Sequence, residues 1–375
     1  MHVAFTTSNP SGVTHAMYQF DIDYIKKAIE LAKLGTGKTS PNPLVGAVIV
    51  KDNKIVGEGY HDRYGAPHAE AVAIQRAAGN TLGATLYVNL EPCNHYGLTP
   101  PCTEAIINAG IKRVVISMVD PNPLVHGKGI QRLLSAGIEV VTGVYEEQAL
   151  WLNRGYVKRI KTGMPWVILK AAITLDGMVA DVEGNSKWIT NQPARCEVHM
   201  LRKSVDGIIV GWKTVNQDDP SLDVRLVESD HTPRPVILDT HLRVRSDAKV
   251  LSRHPLIFTR NPNRIRMKKP VELINIDPHN LHAVLKALGD KGMNMVMVEG
   301  GSELFSSFLR EGCVDEIYLF IAPKLLGAGL LWTRKLEPLK ISNPLHLRIV
   351  EVKAVGSDIM LRLLPPQSYF NPLRA

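Results

Sequence analysis

Two spacings of apolar residues alternate along the chain. Behind Asp21, residues Ile22, Ile25, Ala28, Ile29 and Ala32 share one helical face, with Asp21 as N-cap and Gly35 and Gly37 as the stop. Residues 44–50 and 54–60 are short apolar runs around Asp52 and Asn53, which predicts two strands and a turn. There follow an Ala-rich helix over 68–78, a strand over 84–89, a helix over 102–109, a strand over 112–119, a helix over 128–136 and a strand over 138–142. Helices alternating with short apolar strands predict a largely parallel sheet covered on both faces.

Residues 146–161 carry a charged amphipathic pattern closed by Gly163 and Pro165, which predicts one linking helix. A second series follows, with strands over 166–171, 207–211, 236–239, 256–259, 295–299 and 316–322 and helices over 199–203, 281–288 and 304–310. Residues 340–364 supply two final antiparallel strands. The pattern divides the chain into a polar extension over 1–18, an α/β domain over 19–145, a linker helix over 146–164 and a second α/β domain over 165–375.

Composition narrows the class. Of 375 residues, 45% are apolar and 21% charged, which excludes a disordered or collagen-like chain. Four unevenly spaced cysteines point to reduced thiols or metal ligands rather than a disulfide scaffold. The longest apolar run, 44–50, is far short of the ~20 residues of a membrane helix. No basic stretch followed by an apolar one opens the chain, so no secretory signal is expected and the expected location is cytoplasmic. The net charge is 44 − 36 = +8, spread along the chain, and it suits a phosphorylated ligand as well as a nucleic acid. The densest basic cluster, 264–269, is short and is expected to be a solvated loop.

Three features of the first half belong together: His68-Ala69-Glu70, Glu91-Pro92-Cys93 and Pro100-Pro101-Cys102. One imidazole and two thiolates suit Zn²⁺ and leave a fourth position for water, whose pKa the metal lowers towards ~7. Glu70, two residues from His68 at the start of the same predicted helix, can reach that water without binding the metal. Hydroxide then attacks an amidine-like ring carbon, and the carboxylate carries protons to the ring nitrogen and to the leaving ammonia. A structural zinc would need a fourth ligand, for which His95 is the candidate.

These motifs resemble the cytidine-deaminase-like, three-layer α/β/α fold. With Ser40-Pro41-Asn42-Pro43-Leu44-Val45-Gly46 and Asp120-Pro121-Asn122-Pro123 they resemble, more narrowly, the pyrimidine deaminase of riboflavin biosynthesis. Nucleic-acid deaminases carry Pro-Cys-x-x-Cys, whereas eight residues separate Cys93 from Cys102 here. The resemblance implies that Asn42, His61, His95, Asp120 and Asn122 meet the substrate. Asn42 and Asp120 equally suit turns, and His61 an exposed loop.

The second half has no Gly-x-Gly-x-x-Gly between strand and helix, so a Rossmann site is not expected. It has a strand running into Glu299-Gly300-Gly301-Ser302 and a helix, which can be an anion site or only a tight turn. With Lys170-Ala171-Ala172-Ile173-Thr174-Leu175-Asp176-Gly177, Ser186-Lys187-Trp188-Ile189-Thr190, Arg202, 211–214, Asp218-Asp219-Pro220-Ser221-Leu222 and Arg225, it resembles the reductase of the same pathway, which is similar in fold to dihydrofolate reductase. Both halves together, over 21–364, resemble the bifunctional riboflavin-biosynthesis deaminase/reductase family.

That resemblance implies zinc and NADPH as cofactors and a small phosphorylated pyrimidine as substrate. It implies a homo-oligomer paired through the second domain, and neither a nucleic-acid nor a membrane partner. It implies cofactor contacts at Ala172, Trp188, Thr214, Asp218, Thr240, Gly301, Ser302, Glu303, Leu304, Phe305, Ser306 and Ser307, and substrate contacts at Ser186, Arg202, Leu222, Arg225 and Glu299. Reduction at the former anomeric carbon needs an acid/base group, for which Lys170 and Asp218 are candidates. Arg202 and Arg225 suit a phosphate, or surface ion pairs; Trp188 suits a cofactor face, or the core. Cys196 and Cys313 have no metal-ligand neighbours in the sequence and are expected to be buried thiols.

Overall fold

The computed structural model describes residues 15–97, 100–262 and 269–366. Most of the expected extension and of the basic cluster at 264–269, together with Leu98 and Thr99, lies outside the described residues. The chain divides into two compact units between Asn153 and Arg154.

The first unit comprises α1 (His15–Lys33), β1 (Gly46–Lys51), β2 (Lys54–Tyr60), α2 (Ala69–Arg76), β3 (Thr85–Leu90), α3 (Cys102–Asn108), β4 (Arg113–Met118), α4 (Lys128–Ser135), β5 (Glu139–Thr142) and α5 (Glu146–Leu152). Its sheet runs β2-β1-β3-β4-β5. The expectation of a largely parallel sheet is corrected here. Only β3, β4 and β5 are mutually parallel, because β1 pairs antiparallel with both β2 and β3. The two-residue turn at Asp52 and Asn53, both at positive φ, is what reverses the chain between β1 and β2.

One face of this sheet presents Ala47, Ile49, Leu86, Val88, Val114 and Ile116 to Ala69, Ala73, Ile106, Ile130 and Leu133 from α2, α3 and α4. The small residues of α2 have a geometric cause. A Cβ on Gly59 of β2 would stand 2.2 Å from the Ala69 carbonyl oxygen, so the helix lies almost on the strand. On the other face α1 buries Ile25, Ala28, Ile29 and Ala32. Asp21 is not an N-cap, because α1 begins at His15. Its buried carboxylate accepts a two-pronged bond from Arg113, at 2.8 Å and 2.8 Å, and one from the Tyr87 hydroxyl at 3.0 Å.

The expected single linker helix is two helices. α5 ends at Asn153, and α6 (Arg154–Thr162) opens the second unit. Asn153 ends α5 because its amide is used elsewhere. Oδ1 accepts from the Leu44 N–H at 2.8 Å and Nδ2 donates to the Leu44 carbonyl at 3.0 Å. Asn89 does the same one step along, accepting from the Gly46 N–H and donating to Leu44. Two side-chain amides thus satisfy the backbone just before β1.

The second unit continues with β6 (Trp166–Thr174), β7 (Met178–Ala180), α7 (Gln192–Lys203), β8 (Gly207–Gly211), α8 (Trp212–Asp218), β9 (Arg234–Leu238), β10 (Leu256–Thr259), β11 (Glu272–Asn275), α9 (Leu281–Asp290), β12 (Met295–Val298), α10 (Ser302–Arg310), β13 (Glu316–Ala322), β14 (Leu330–Leu331), β15 (Arg348–Val355) and β16 (Asp358–Leu364). The main sheet runs β11-β10-β9-β8-β12-β6-β13-β16-β15, parallel from β11 to β13 and closed by the antiparallel β15–β16 pair. The last two strands were expected; β7, β11, β14 and α8 were not. Strand β12 inserts between β8 and β6 although it follows β11 in the chain. That reversal of strand order opens a crevice at the carboxyl ends of β6, β8 and β12, where open α/β sheets bind ligands.

Candidate active sites

In the first unit the two sequence motifs meet at one point. Strand β3 ends at Leu90, and the chain continues through Glu91 and Pro92 to Cys93. Cys102 is the first residue of α3, and His68 is the N-cap of α2. One ligand atom from each of His68, Cys93 and Cys102 lies within 4.8 Å of the others. His68 Nδ1 is the ring nitrogen that faces the sulfurs, 3.2 Å from Cys102 Sγ and 3.5 Å from Cys93 Sγ. The Cys102 thiol and backbone N–H (3.4 Å) both point at Cys93 Sγ, and with His68 nearby they hold that thiol well below its ordinary range. Two sulfurs and one imidazole nitrogen at this spacing fit zinc and leave one coordination position open.

Glu70 is buried in the first turn of α2, and burial pushes its carboxyl up. His95 is exposed on the loop after Cys93 and is not in the donor cluster, so the four-ligand structural site is not formed among the described residues. His61 is buried rather than an exposed loop residue. Its Nδ1 stands 3.2 Å from the Pro67 carbonyl and its Nε2 3.1 Å from Asn42 Nδ2. With the proton on Nδ1 both bonds are satisfied, and Asn42 Nδ2 is fixed in direction. Asp120 and Asn122 shape a turn. Asp120 Oδ1 accepts from the Asn122 N–H and Asn122 Oδ1 from the Leu124 N–H. Beneath that turn, buried Glu91 accepts four backbone N–H groups, from Asp120, Gly127, Gly129 and Ile130. Sequence reading quoted Glu91 within a motif and gave it no role. It ties the 120–130 segment to the strand end that carries Cys93.

In the second unit the crevice is a cleft of about 760 Å³. Lys170, Ala172, Ser186, Trp188, Arg202, Thr214, Asp218, Leu222, Arg225, Glu299, Gly301 and Phe305 all line it, although they span 136 positions of the chain. Trp188 is 60% exposed, with the Arg195 guanidinium 4.6 Å from its ring centre, so it is not a core residue. Helices α8 and α10 both start at this cleft behind extended glycine caps, Gly211 and Gly301. A Cβ on Gly301 would stand 3.6 Å from Thr214 Oγ1, so the glycine leaves space between two helix N-termini. Such a pair of N-termini suits a dinucleotide pyrophosphate.

Thr240, Ser302, Glu303, Leu304, Ser306 and Ser307 do not line the cleft. The Thr240 carbonyl accepts from the Thr259 hydroxyl, Glu303 pairs with Lys213, and Leu304 packs on the core. Ser306 is buried, its hydroxyl bonded to the Ser302 carbonyl and the Lys335 N–H, and the Ser307 hydroxyl donates to the Glu303 carbonyl. Cys313 is a buried thiol pushed up to about 11 by burial, with His282 ring nitrogens 3.8–3.9 Å away, whereas Cys196 is only half-buried.

The charges are arranged unevenly. Arg202 meets Glu299 through two parallel bonds, Nε to Oε1 at 2.7 Å and Nη2 to Oε2 at 2.8 Å, and spends Nη1 on the Asp223 carbonyl. Three of its five N–H groups are therefore engaged within the protein. Burial alone would raise the Glu299 carboxyl, but Arg202 and Lys170 outweigh it and hold it at about 2. Lys170 and Asp218 differ from this pair. Among the described residues, neither the Lys170 ammonium nor the Asp218 carboxylate has a hydrogen-bond partner. Burial lowers the first and raises the second, which moves both towards proton exchange near neutral pH.

The Arg202–Glu299 pair carries a stability prediction. A carboxyl at about 2 in the fold and 4.5 when unfolded contributes about 3 kcal/mol, fully present above pH 4.5 and lost as pH falls towards 2. Arg202→Met leaves the carboxylate buried without its counter-ion and is expected to cost about 3–5 kcal/mol, read as a lower urea midpoint. An unchanged midpoint would show the pair to be energetically neutral.

Comparison with known proteins agrees with this division of the chain. A family described as "RibD C-terminal domain" matches residues 165–361, and one described as "Cytidine and deoxycytidylate deaminase zinc-binding region" matches 18–118. The chain is 45% identical over 353 residues to the "Riboflavin biosynthesis protein RibD" of Aquifex aeolicus, covering 92% of this chain and 98% of the relative. It is 41% identical over 362 residues to that of Escherichia coli, covering 91% and 98%. Acinetobacter baumannii RibD superposes with a TM-score of 0.88 at 41% identity, over 93% of this chain and 99% of the other. A Thermotoga maritima structure, titled a diaminohydroxyphosphoribosylaminopyrimidine deaminase/5-amino-6-(5-phosphoribosylamino)uracil reductase, gives 0.86 at 38% identity over the same shares. A deaminase unit followed by a reductase unit, matched along nearly its whole length, makes this chain a member of the RibD family of riboflavin biosynthesis proteins.

Proposed function

We propose that the first unit is a zinc-dependent deaminase of 2,5-diamino-6-ribosylamino-4(3H)-pyrimidinone 5′-phosphate. The second unit then reduces the ribosyl side chain of the product with NADPH, giving 5-amino-6-ribitylamino-uracil 5′-phosphate. The observation that carries this reading is the pairing, in one chain, of a three-donor cluster beside a buried carboxylate with a cleft that holds an unpartnered lysine and aspartate.

Zinc held by His68, Cys93 and Cys102 supplies a water acidic enough to act as nucleophile at neutral pH. Glu70 takes one proton from the attacking water and passes it to the ring nitrogen, then takes the second from the added hydroxyl and passes it to the departing amine as the carbonyl forms. Asn42, aimed by His61, holds the edge of the ring. NADPH supplies the reducing equivalents in the second unit. Lys170 protonates the ribose oxygen as the sugar ring opens, Asp218 carries the second proton exchange, and Ala172 leaves room for the nicotinamide. Ionised Glu299 accepts pyrimidine N–H groups, while Arg202 holds it in place.

The wild-type chain is expected to release ammonia from the diaminopyrimidine ribosyl phosphate and then to oxidise NADPH. Ammonia release that survives complete zinc removal, or preference for NADH, would overturn the respective half. The chain acts in the cytoplasm; among the described residues no helix is long and apolar enough to cross a membrane. It pairs through edge strand β15, which exposes Ile349 and Val352 and whose outer edge meets no strand among the described residues. Light scattering at the monomer mass would refute that pairing.

A further inference from the structure

His199 sits on α7, three residues before Arg202, and is 4% exposed. It lines the reductase cleft. Its Nδ1 accepts the Arg225 backbone N–H at 3.1 Å, which requires that nitrogen to be unprotonated. The groups facing the ring are Arg202 on its own helix, Asp223 and Arg225 on the segment after α8, and Glu299 after β12. Burial first, then the two guanidiniums, push the imidazole down to about 4. The ring is neutral at neutral pH, and its one proton is on Nε2. Among the described residues that Nε2–H has no acceptor. A buried donor that lines a cleft without a protein partner is one that a ligand satisfies.

We propose that His199 is a substrate-binding residue of the reductase: its Nε2–H donates to a phosphoryl oxygen of the pyrimidine ribosyl phosphate, while its Nδ1 fixes the backbone that carries Arg225. This rests on the phosphorylated-pyrimidine reading above. Two guanidiniums flank the ring: Arg225, half-exposed and paired with Asp223, and Arg202, paired with Glu299. A neutral donor suits such a place, because it adds a bond to the phosphate without adding a third cation beside two guanidiniums. The phosphate is thereby met by His199 beside the Arg225 guanidinium.

Two variants separate the ring nitrogens. In His199→Asn the amide oxygen stands where Nδ1 does and keeps the Arg225 bond, but nothing reaches the Nε2 position. In His199→Gln the longer amide places an N–H near Nε2. Reductase kinetics are measured on 5-amino-6-ribosylaminouracil with and without its 5′-phosphate, with thermal unfolding as the check on folding. His199→Asn is expected to raise the KM for the phosphorylated substrate about 10- to 100-fold, the worth of one hydrogen bond to a charged group. It is expected to leave the KM for NADPH and turnover of the dephosphorylated substrate unchanged, and His199→Gln to recover most of the loss. An unchanged KM in His199→Asn overturns the proposal. So does an equal loss on both substrates, which reduces His199 to a loop support, or a change confined to the KM for NADPH, which gives the donor to the dinucleotide. A wild-type enzyme inactive on the phosphorylated substrate overturns the functional reading itself.

Discussion

Glu70→Ala is expected to lower ammonia release by about 10²- to 10⁴-fold, the usual worth of a positioned acid/base group. The carboxylate is 3% exposed and lies in the same first turn of α2 that His68 caps. Among the described residues no carboxylate belongs to the donor cluster itself. Because Glu70 is not one of the three clustered donors, the variant is expected to retain its zinc, measured by atomic absorption. It is also expected to oxidise NADPH at the wild-type rate when given the deaminated pyrimidine. Loss of metal from the variant would instead make Glu70 a ligand, and undiminished ammonia release would remove it from the reaction.

Lys170→Met is expected to have the mirror-image effect, lowering NADPH oxidation by about 10²- to 10⁴-fold while ammonia release continues. Methionine keeps the length of the side chain and its packing in β6 but removes the ammonium. Lys170 faces the Arg202–Glu299 pair across the β6–β12 pairing, where Leu169 lies opposite Val298. Burial lowers the ammonium and Glu299 partly restores it, a net shift in the direction a proton donor needs. A variant that binds substrate normally but turns it over slowly supports the role. A rise in KM alone, with kcat unchanged, would make Lys170 a binding residue and shift the proton transfer to Asp218.

What the sequence disclosed depends on how local the signal is. The candidate metal donors His68 and Cys102, and Glu70, were legible because each lies at a helix start that its own neighbours specify: Pro100 and Pro101 before Cys102, and Ala-rich spacing after His68. The elements of the second unit were legible where apolar runs are unbroken, as in β8, β10 and β13. Charge partnerships were not. Arg202 and Glu299 are 97 residues apart, so no local pattern tells a phosphate ligand from a carboxylate's counter-ion. Asp21 looked like a cap because caps and buried ion-pair acids share one residue type; only the position of Arg113 across the fold decides. His199 gave no signal, since its role depends on a backbone N–H 26 residues away. The break in the linking helix at Asn153 was hidden for the same reason: its partner is Leu44.

That Asn153–Leu44 clasp bears on how the two activities can be taken apart genetically. A gene fragment ending at residue 145, where the apolar pattern suggests a boundary, deletes α5 and the amide that completes the backbone bonding of Leu44. Leu44 is two residues from Asn42, so the damage falls beside the Asn42–His61 pair rather than at a dispensable tail. An excised deaminase has to run through Asn153, and an excised reductase has to begin at Arg154, whose guanidinium pairs with buried Glu316. The seam between the two enzymes is a single peptide bond, with a structural side chain on each side of it.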